Sequence, residues 1–126
     1  MDDLSQKPFV EPHLGGAPSD LVIEDLVVGT GDEATAGTRA TVHYVGVAHS
    51  TGEQFDASWD RDEPFAFVVG QGQVIAGWDN GVAGMRVGGR RRLVIPPHLG
   101  YGERGAPGAI APGETLLFVV DLLDVG

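Results

Sequence analysis

Short apolar runs, broken at close intervals by glycine and proline, are the feature of this chain that most restricts its fold. Its 126 residues include 20 glycines and 8 prolines without any repeat. Glycine and proline both interrupt regular elements and favour turns, so long helices are disfavoured over most of the chain. Many turns between β-branched runs favour an all-β or an α+β domain over a helical bundle.

The apolar runs predict the strands. Leu21 to Val28 is apolar and β-branched, and the turn residues of positions 29–32 end it. Further strands are predicted over Thr38 to Ala48, Glu53 to Asp56, Pro64 to Val68, Arg90 to Ile95 and Thr115 to Val125. In the last of these, the even-numbered residues from Leu116 to Leu122 are all apolar and share one face, because side chains alternate along a strand.

Only Gln73 to Ala83 has the periodicity of a helix. Ile75, Trp78 and Val82 recur at i, i+3 and i+7. Two glycines weaken this helix, so it depends on tertiary support. The predicted fold class is therefore α+β: an antiparallel sheet of about five strands that wraps one short α-helix.

The chain divides into a tail and one domain. Residues 1–19 contain several prolines and glycines without periodicity, so we predict a flexible N-terminal tail, with the domain over 20–126. Residues 96–113 contain five glycines and four prolines and predict a long surface loop. Long ordered loops in compact domains are usually functional.

Charge and composition exclude several classes of function. A net charge of -10 repels phosphate backbones, so nucleic-acid binding is not expected. Arg86 and the run Arg90 to Arg92 could form a phosphate patch, but a strand with its polar side chains in water is favoured.

The chain has no cysteine. No run approaches the ~18–20 apolar residues of a membrane span, and the acidic N-terminus does not resemble a secretory signal. We therefore expect a cytoplasmic protein independent of membranes. A monomer is the expected state, although nothing in the sequence itself fixes it.

The common catalytic motifs are missing from the sequence. There is no G-x-S-x-G, no P-loop and no dinucleotide-binding pattern. His43, His49 and Asp56 match no metal-ligand spacing, so we predict no metal and no cofactor. The acidic stretch from Asp56 to Glu63 could perform acid–base chemistry, but a solvated loop with an internal ion pair to Arg61 is favoured.

Aromatic residues are the remaining feature, and they fall in strand interiors, the helix and the long loop. They are Tyr44, Phe55, Phe65, Phe67, Trp78, Tyr101 and Phe118. Such a set is ordinarily core, but the local motifs around it carry a more specific signal.

Six segments, in order along the chain, resemble FKBP-type peptidyl-prolyl cis-trans isomerases of the single-domain, bacterial kind. They are Val42 to Gly46, Gly52 to Ser58, Val74 to Trp78, Gly81 to Gly89, Ile95 to Gly102 and Leu116 to Phe118. The similarity covers roughly residues 21 to 125. It implies a curved antiparallel sheet around one short helix, with an aromatic pocket between them.

The resemblance also implies the residues of that pocket. Those expected to take part in catalysis are Tyr44, Asp56, Ile75, Trp78, Tyr101 and Phe118; those expected to complete the pocket or its rim are Phe55, Phe65, Val74, Ile110 and Arg61. Trp78 would form the floor, and the Tyr101 hydroxyl and the Ile75 N–H would donate to a substrate carbonyl. The chain departs from the family pattern at Ala106 and Ala109, which trim the rim, and at Trp59, expected near the rim.

The implied activity fits these residues. Rotation about an X-Pro bond breaks no covalent bond, so an apolar pocket that stabilises the twisted amide needs no nucleophile, acid or metal. The expected partners are proline-containing polypeptides and macrolides such as tacrolimus or rapamycin, and the expected role is assistance of protein folding. A binding module that holds proline segments without turnover is the alternative, because the same pocket suits both.

Overall fold

Six strands and one α-helix follow the apolar runs of the sequence. The structure, a computed structural model, describes residues 5–13 and 15–126. The elements are β1 (Val22–Val27), β2 (Arg39–Ala48), β3 (Gln54–Ala57), β4 (Phe65–Val68), α1 (Ala76–Val82), β5 (Arg90–Ile95) and β6 (Leu116–Val125). Short 3-10 helices cover Ser58–Arg61 and Pro97–Leu99.

The ten-residue strand β2 organises the sheet. All strands pair antiparallel in the order β1-β5-β6-β2-β3, and β4 also pairs with β2. β4 and β3 therefore share one edge of β2, β4 along Arg39 to Val42 and β3 along Val45 to Val47. Between them, the Tyr44 N–H donates to the Ser58 hydroxyl at 2.7 Å in place of a strand partner. The predicted antiparallel sheet is confirmed, with six strands rather than about five.

Side chains of β6 alternate between two faces of the sheet, as predicted. Leu116, Phe118 and the other even-numbered apolar residues lie in a core cluster with Trp78 and Val82 of the helix. Leu117 and Val119 belong to a second cluster on the outer face. The first cluster is the main core, and it places the inner face of the sheet against α1.

The helix is shorter than predicted, because Gln73 and Val74 lie in a bend and Ile75 is extended. It contains seven residues, with Trp78 and Val82 buried. A Cβ on Gly77 would lie 2.5 Å from Cγ2 of Ile95, so this glycine allows the helix to lie directly on β5. No helix in the described part of the chain has both the length and the hydropathy needed to cross a membrane.

Part of the predicted tail lies against the outer face of the sheet. Val10 is buried in the outer cluster. The backbone carbonyls of Gln6 and Glu11 accept hydrogen bonds from Arg90 and Arg92, and Lys7 pairs with Asp60 at 2.8 Å. The boundary of a tail over residues 1–19 stays a prediction, and within it residues 1–4 and 14 lie outside the described residues.

The arginines of β5 are not in water, so that part of the prediction was wrong. Arg90 is 3% exposed and binds both carboxylate oxygens of Asp121, at 2.7 and 2.8 Å. The side chains of Arg91 and Arg92 are each 12% exposed, and they pair with Asp25 and Glu24 respectively. Low exposure raises the energy of an unpaired charge, so each of these arginines has a carboxylate partner.

We predict that Gly77→Ala destabilises the protein although alanine is the better helix former. In an exposed helix the change would add up to about 1 kcal/mol of stability. Here the new methyl group would overlap buried Ile95, and overpacking of this kind costs about 1–3 kcal/mol. Urea denaturation of the two proteins measures the difference in their free energies of unfolding. Asn80→Ala on the exposed side of the same helix is the control and should be neutral or mildly stabilising; a gain in stability for Gly77→Ala would contradict the close packing.

Candidate active site

A cavity of about 200 Å³ opens between the inner face of the sheet and the start of α1. Ten residues line it: Tyr44, Phe55, Asp56, Phe65, Gln73, Val74, Ile75, Trp78, Tyr101 and Phe118. Nine of these belong to the eleven predicted site residues, and they come from β2, β3, β4, α1, β6, the approach to the helix and the long loop. The cavity is thus assembled from segments that are distant in sequence.

Trp78 lies at the centre of the aromatic packing. Its side chain is 4% exposed, and its ring meets those of Tyr44 and Phe118 edge-on, with centroids 4.9 and 5.4 Å apart. Edge-to-face contacts of this kind hold aromatic rings in defined orientations. A Cβ at Gly46 would lie 2.6 Å from Phe118 and 2.7 Å from Phe55, so the glycine makes room for both rings.

One edge of the cavity is polar and hydrogen-bonded. The Tyr44 hydroxyl donates to Asp56 Oδ2 at 2.5 Å and accepts from Arg61 Nη2 at 2.9 Å. Arg61 Nη1 donates to Asp56 Oδ1 at 2.6 Å. The three groups form a closed triangle, so each fixes the orientation of the other two.

The triangle shifts the ionisation of its members. Burial raises the pKa of the Tyr44 hydroxyl, and the hydrogen bond to the Asp56 carboxylate adds to the rise. Burial alone would raise the pKa of Asp56, but the hydrogen bonds from Tyr44 and Arg61 outweigh it, and the pKa lies below its ordinary value. At neutral pH the cavity therefore holds an ionised Asp56 beside a neutral Tyr44.

Two hydrogen-bond donors at the cavity are free. The Tyr101 side chain is 42% exposed, and its hydroxyl has no hydrogen-bond partner among the described residues. The same holds for the backbone N–H of Ile75, whose extended backbone precedes the first turn of α1. Both groups border the cavity. They can donate to a ligand carbonyl without breaking a bond within the protein.

Two predicted residues do not line the cavity. Arg61 reaches it only through Asp56 and Tyr44. Ile110 is buried in the core, and its backbone carbonyl and N–H bind those of Ala106. It anchors the long loop that carries Tyr101 rather than forming a wall. Gln73 lines the cavity although it was not in the predicted set.

Trp59 is not near the rim, so that expectation was wrong. It follows β3 in the 3-10 helix and packs against the outer cluster of the sheet. Its ring stacks on His43 with centroids 4.2 Å apart, and His43 Nδ1 lies 2.8 Å from the Ser58 hydroxyl. His43 therefore has a structural environment on the face opposite Tyr44.

The fold and the cavity together define a class of protein: an antiparallel sheet over one helix with an aromatic ligand pocket. The family described as FKBP-type peptidyl-prolyl cis-trans isomerase matches residues 31–123. An FK506-binding protein of Streptomyces anulatus is 60% identical over 121 residues, which cover 95% of this chain and 98% of the relative. The peptidyl-prolyl cis-trans isomerase FPR2 of Saccharomyces cerevisiae is 46% identical over 125 residues, covering 93% and 90% respectively.

A solved structure of an FKBP-type protein has the same fold. The crystal structure of AtFKBP13 superimposes with a TM-score of 0.79 at 40% identity, covering 87% of this chain and 96% of that one. The chain belongs to the FKBP-type peptidyl-prolyl cis-trans isomerase family. The resemblance inferred from its sequence motifs is confirmed.

We predict that Asp56 adds stability that is lost in acid. Its pKa is lower in the folded state than the ordinary value of about 4, so its contribution is complete above that value and declines as the pH falls through the folded pKa. Urea denaturation of wild type and Asp56→Asn should give a constant difference in unfolding free energy between pH 5 and 7, and a shrinking one below about pH 4.

Arg61→Met supplies the control for this prediction. Because Arg61 is a partner of Asp56, the effect of Asp56→Asn should be smaller in the Arg61→Met background. A stability difference that stays constant down to pH 2 would show that the Asp56 pKa is not depressed.

Proposed function

We propose that this enzyme accelerates X-Pro rotation by taking the prolyl peptide out of water and holding it in the aromatic cavity in a twisted state. The observation that carries the proposal is the pairing of an apolar floor, buried Trp78, with two unpartnered donors, Tyr101 and the Ile75 N–H. Proline is apolar and ring-shaped, so it suits the face of an indole. The substrates are therefore proline-containing polypeptides.

The physical basis of the rate increase is a difference between the two states of the amide. A planar peptide bond has a rotation barrier of ~18–20 kcal/mol because of resonance. The twisted amide loses that resonance, and with it part of the charge separation that water stabilises. An apolar cavity therefore favours the twisted form over the planar one relative to water, and each ~1.4 kcal/mol of that preference gives a tenfold increase in rate.

The polar triangle has a positioning role in this scheme. Tyr44 and Asp56 line the cavity, and Arg61 holds them from outside. Their hydrogen bonds satisfy one another, so these polar groups are held in one arrangement at the edge of the cavity. This fixes the Tyr44 ring beside Trp78, where the prolyl ring is to lie.

We further propose that the enzyme assists protein folding and binds macrolides such as tacrolimus or rapamycin in the same cavity. The name of the Streptomyces relative, FK506-binding protein, supports the second part. The monomeric state and the cytoplasmic location stay predictions from the sequence.

An isomerisation assay with and without rapamycin tests the proposal. We expect fast catalysis on a peptide of the Ala-Leu-Pro-Phe type and its loss when rapamycin occupies the cavity. No turnover by a folded protein that binds rapamycin would identify a binding module. Turnover that persists while rapamycin is bound would place catalysis outside this cavity, and the absence of rapamycin binding would overturn the macrolide proposal alone.

We predict that Tyr101→Phe lowers kcat/KM while leaving thermal stability unchanged. A single hydrogen bond contributes about 0.5–1.5 kcal/mol, which corresponds to a loss of about two- to tenfold. Stability should not change because the Tyr101 hydroxyl has no protein partner in the described chain. Tyr44→Phe is the matched control: it removes a hydroxyl bonded to Asp56 and Arg61, so its Tm should fall. Wild-type kinetics in Tyr101→Phe would remove this donor from the mechanism.

A further inference from the structure

A second depression adjoins the cavity on the side of the turn between β2 and β3. It has a volume of about 410 Å³ and lies between that turn and the long loop. The lining consists of Ala48, Ser50, Thr51, Glu53, Gln54, Phe55, Gly108, Ala109, Ala111 and Glu114. Phe55 also lines the cavity, so this depression, the flanking groove, continues from it.

One wall of the flanking groove is nearly free of side chains. Gly108, Ala109 and Ala111 have no atoms beyond Cβ, and all three are exposed. An extended peptide advances about 3.3–3.6 Å per residue. A few residues of such a chain are therefore enough to reach from the cavity past Phe55 into the groove.

The lining also includes two carboxylates, those of Glu53 and Glu114, and it contains no lysine or arginine. The Glu114 carboxylate is held in place by Ser50, whose hydroxyl donates at 2.5 Å and whose N–H donates at 3.2 Å. The carboxylate of exposed Glu53 has no hydrogen-bond or ion-pair partner among the described residues. Arg61, at the cavity edge, is already bonded to Asp56. The groove thus holds negative charge that the described protein does not neutralise.

We propose that the flanking groove binds the polypeptide next to the isomerised bond and selects a lysine or arginine there. This inference rests on the proposed function, because it assigns the cavity to the proline. Charge complementarity identifies the side chain, and continuity through Phe55 identifies the occupant as the same substrate chain. The net charge of -10 acts in the same direction by repelling acidic segments.

Peptides that differ only in one flanking residue test this selection. Lysine, norleucine and glutamate are placed in turn immediately before the X-Pro pair, and in a second series immediately after it. Exchange rates are measured by NMR with catalytic amounts of enzyme, which avoids a helper protease with its own charge preference. Exposed ion pairs contribute modestly, so we expect kcat/KM for lysine to exceed that for glutamate about two- to fivefold in one series. The ratio should fall at high salt because exposed charges are screened.

Variants separate the effect of the groove carboxylates on the lysine-to-glutamate ratio from the effect of the net charge. Glu53→Gln with Glu114→Gln should bring the lysine-to-glutamate ratio close to one, and Glu53→Gln alone, which leaves the Ser50 contacts intact, should lower it part of the way. Asp20→Asn with Asp124→Asn is the matched control, because it changes net charge equally at exposed positions outside the groove and should keep the ratio.

The outcomes distinguish the two proposals. Turnover with equal rates for lysine and glutamate peptides in both series would overturn the groove and leave the isomerase intact. A ratio that falls as far in the control as in the groove variant would also overturn it, since net charge alone would then account for the preference. No turnover of any peptide would overturn the proposed function and this inference with it.

Discussion

The packing of Trp78 against the inner face of the sheet is the contact on which both the fold and the cavity depend. The helix that carries it has seven residues and no side-chain cap, so it is too short to be stable alone. Burial of its indole among the rings of Tyr44, Phe67 and Phe118 holds it in place. The same indole lines the aromatic cavity. The floor of the cavity is therefore part of the core.

The polar groups are arranged around that apolar centre in two separate sets. On the inner side, Tyr44, Asp56 and Arg61 satisfy one another at the cavity edge. On the outer side, Arg90 and Asp121 form a buried pair beneath the N-terminal segment. The 3-10 helix Ser58–Arg61 has contacts on both sides: its Asp60 binds Lys7 of the N-terminal segment, and its Arg61 binds Asp56 and Tyr44.

Local patterns predicted much of this arrangement, and their failures have a common cause. The period of two in β6 correctly assigned Phe118 to the inner face, because strand alternation is a property of the backbone. Patterns did not identify the surroundings of charged and loop residues. The arginines of β5 were expected in water, yet each binds a carboxylate of a neighbouring strand and backbone carbonyls of the N-terminal segment or the end of α1. Trp59 was expected at the rim, yet the 3-10 turn after β3 directs it to the outer face.

The sequence by itself determined the strands, the single short helix, the family and nine of the ten residues that line the cavity. These follow from side-chain alternation, turn residues and ordered motifs, which are all readable along the chain. Only the tertiary structure decided which hydrogen-bond donors are left free and which carboxylates are paired. It also decided that Ile110 anchors the long loop and that Glu53 and Glu114 line a groove. Those properties depend on which residues lie next to each group in the folded protein. Contacts between residues distant in sequence leave no periodic pattern in the sequence.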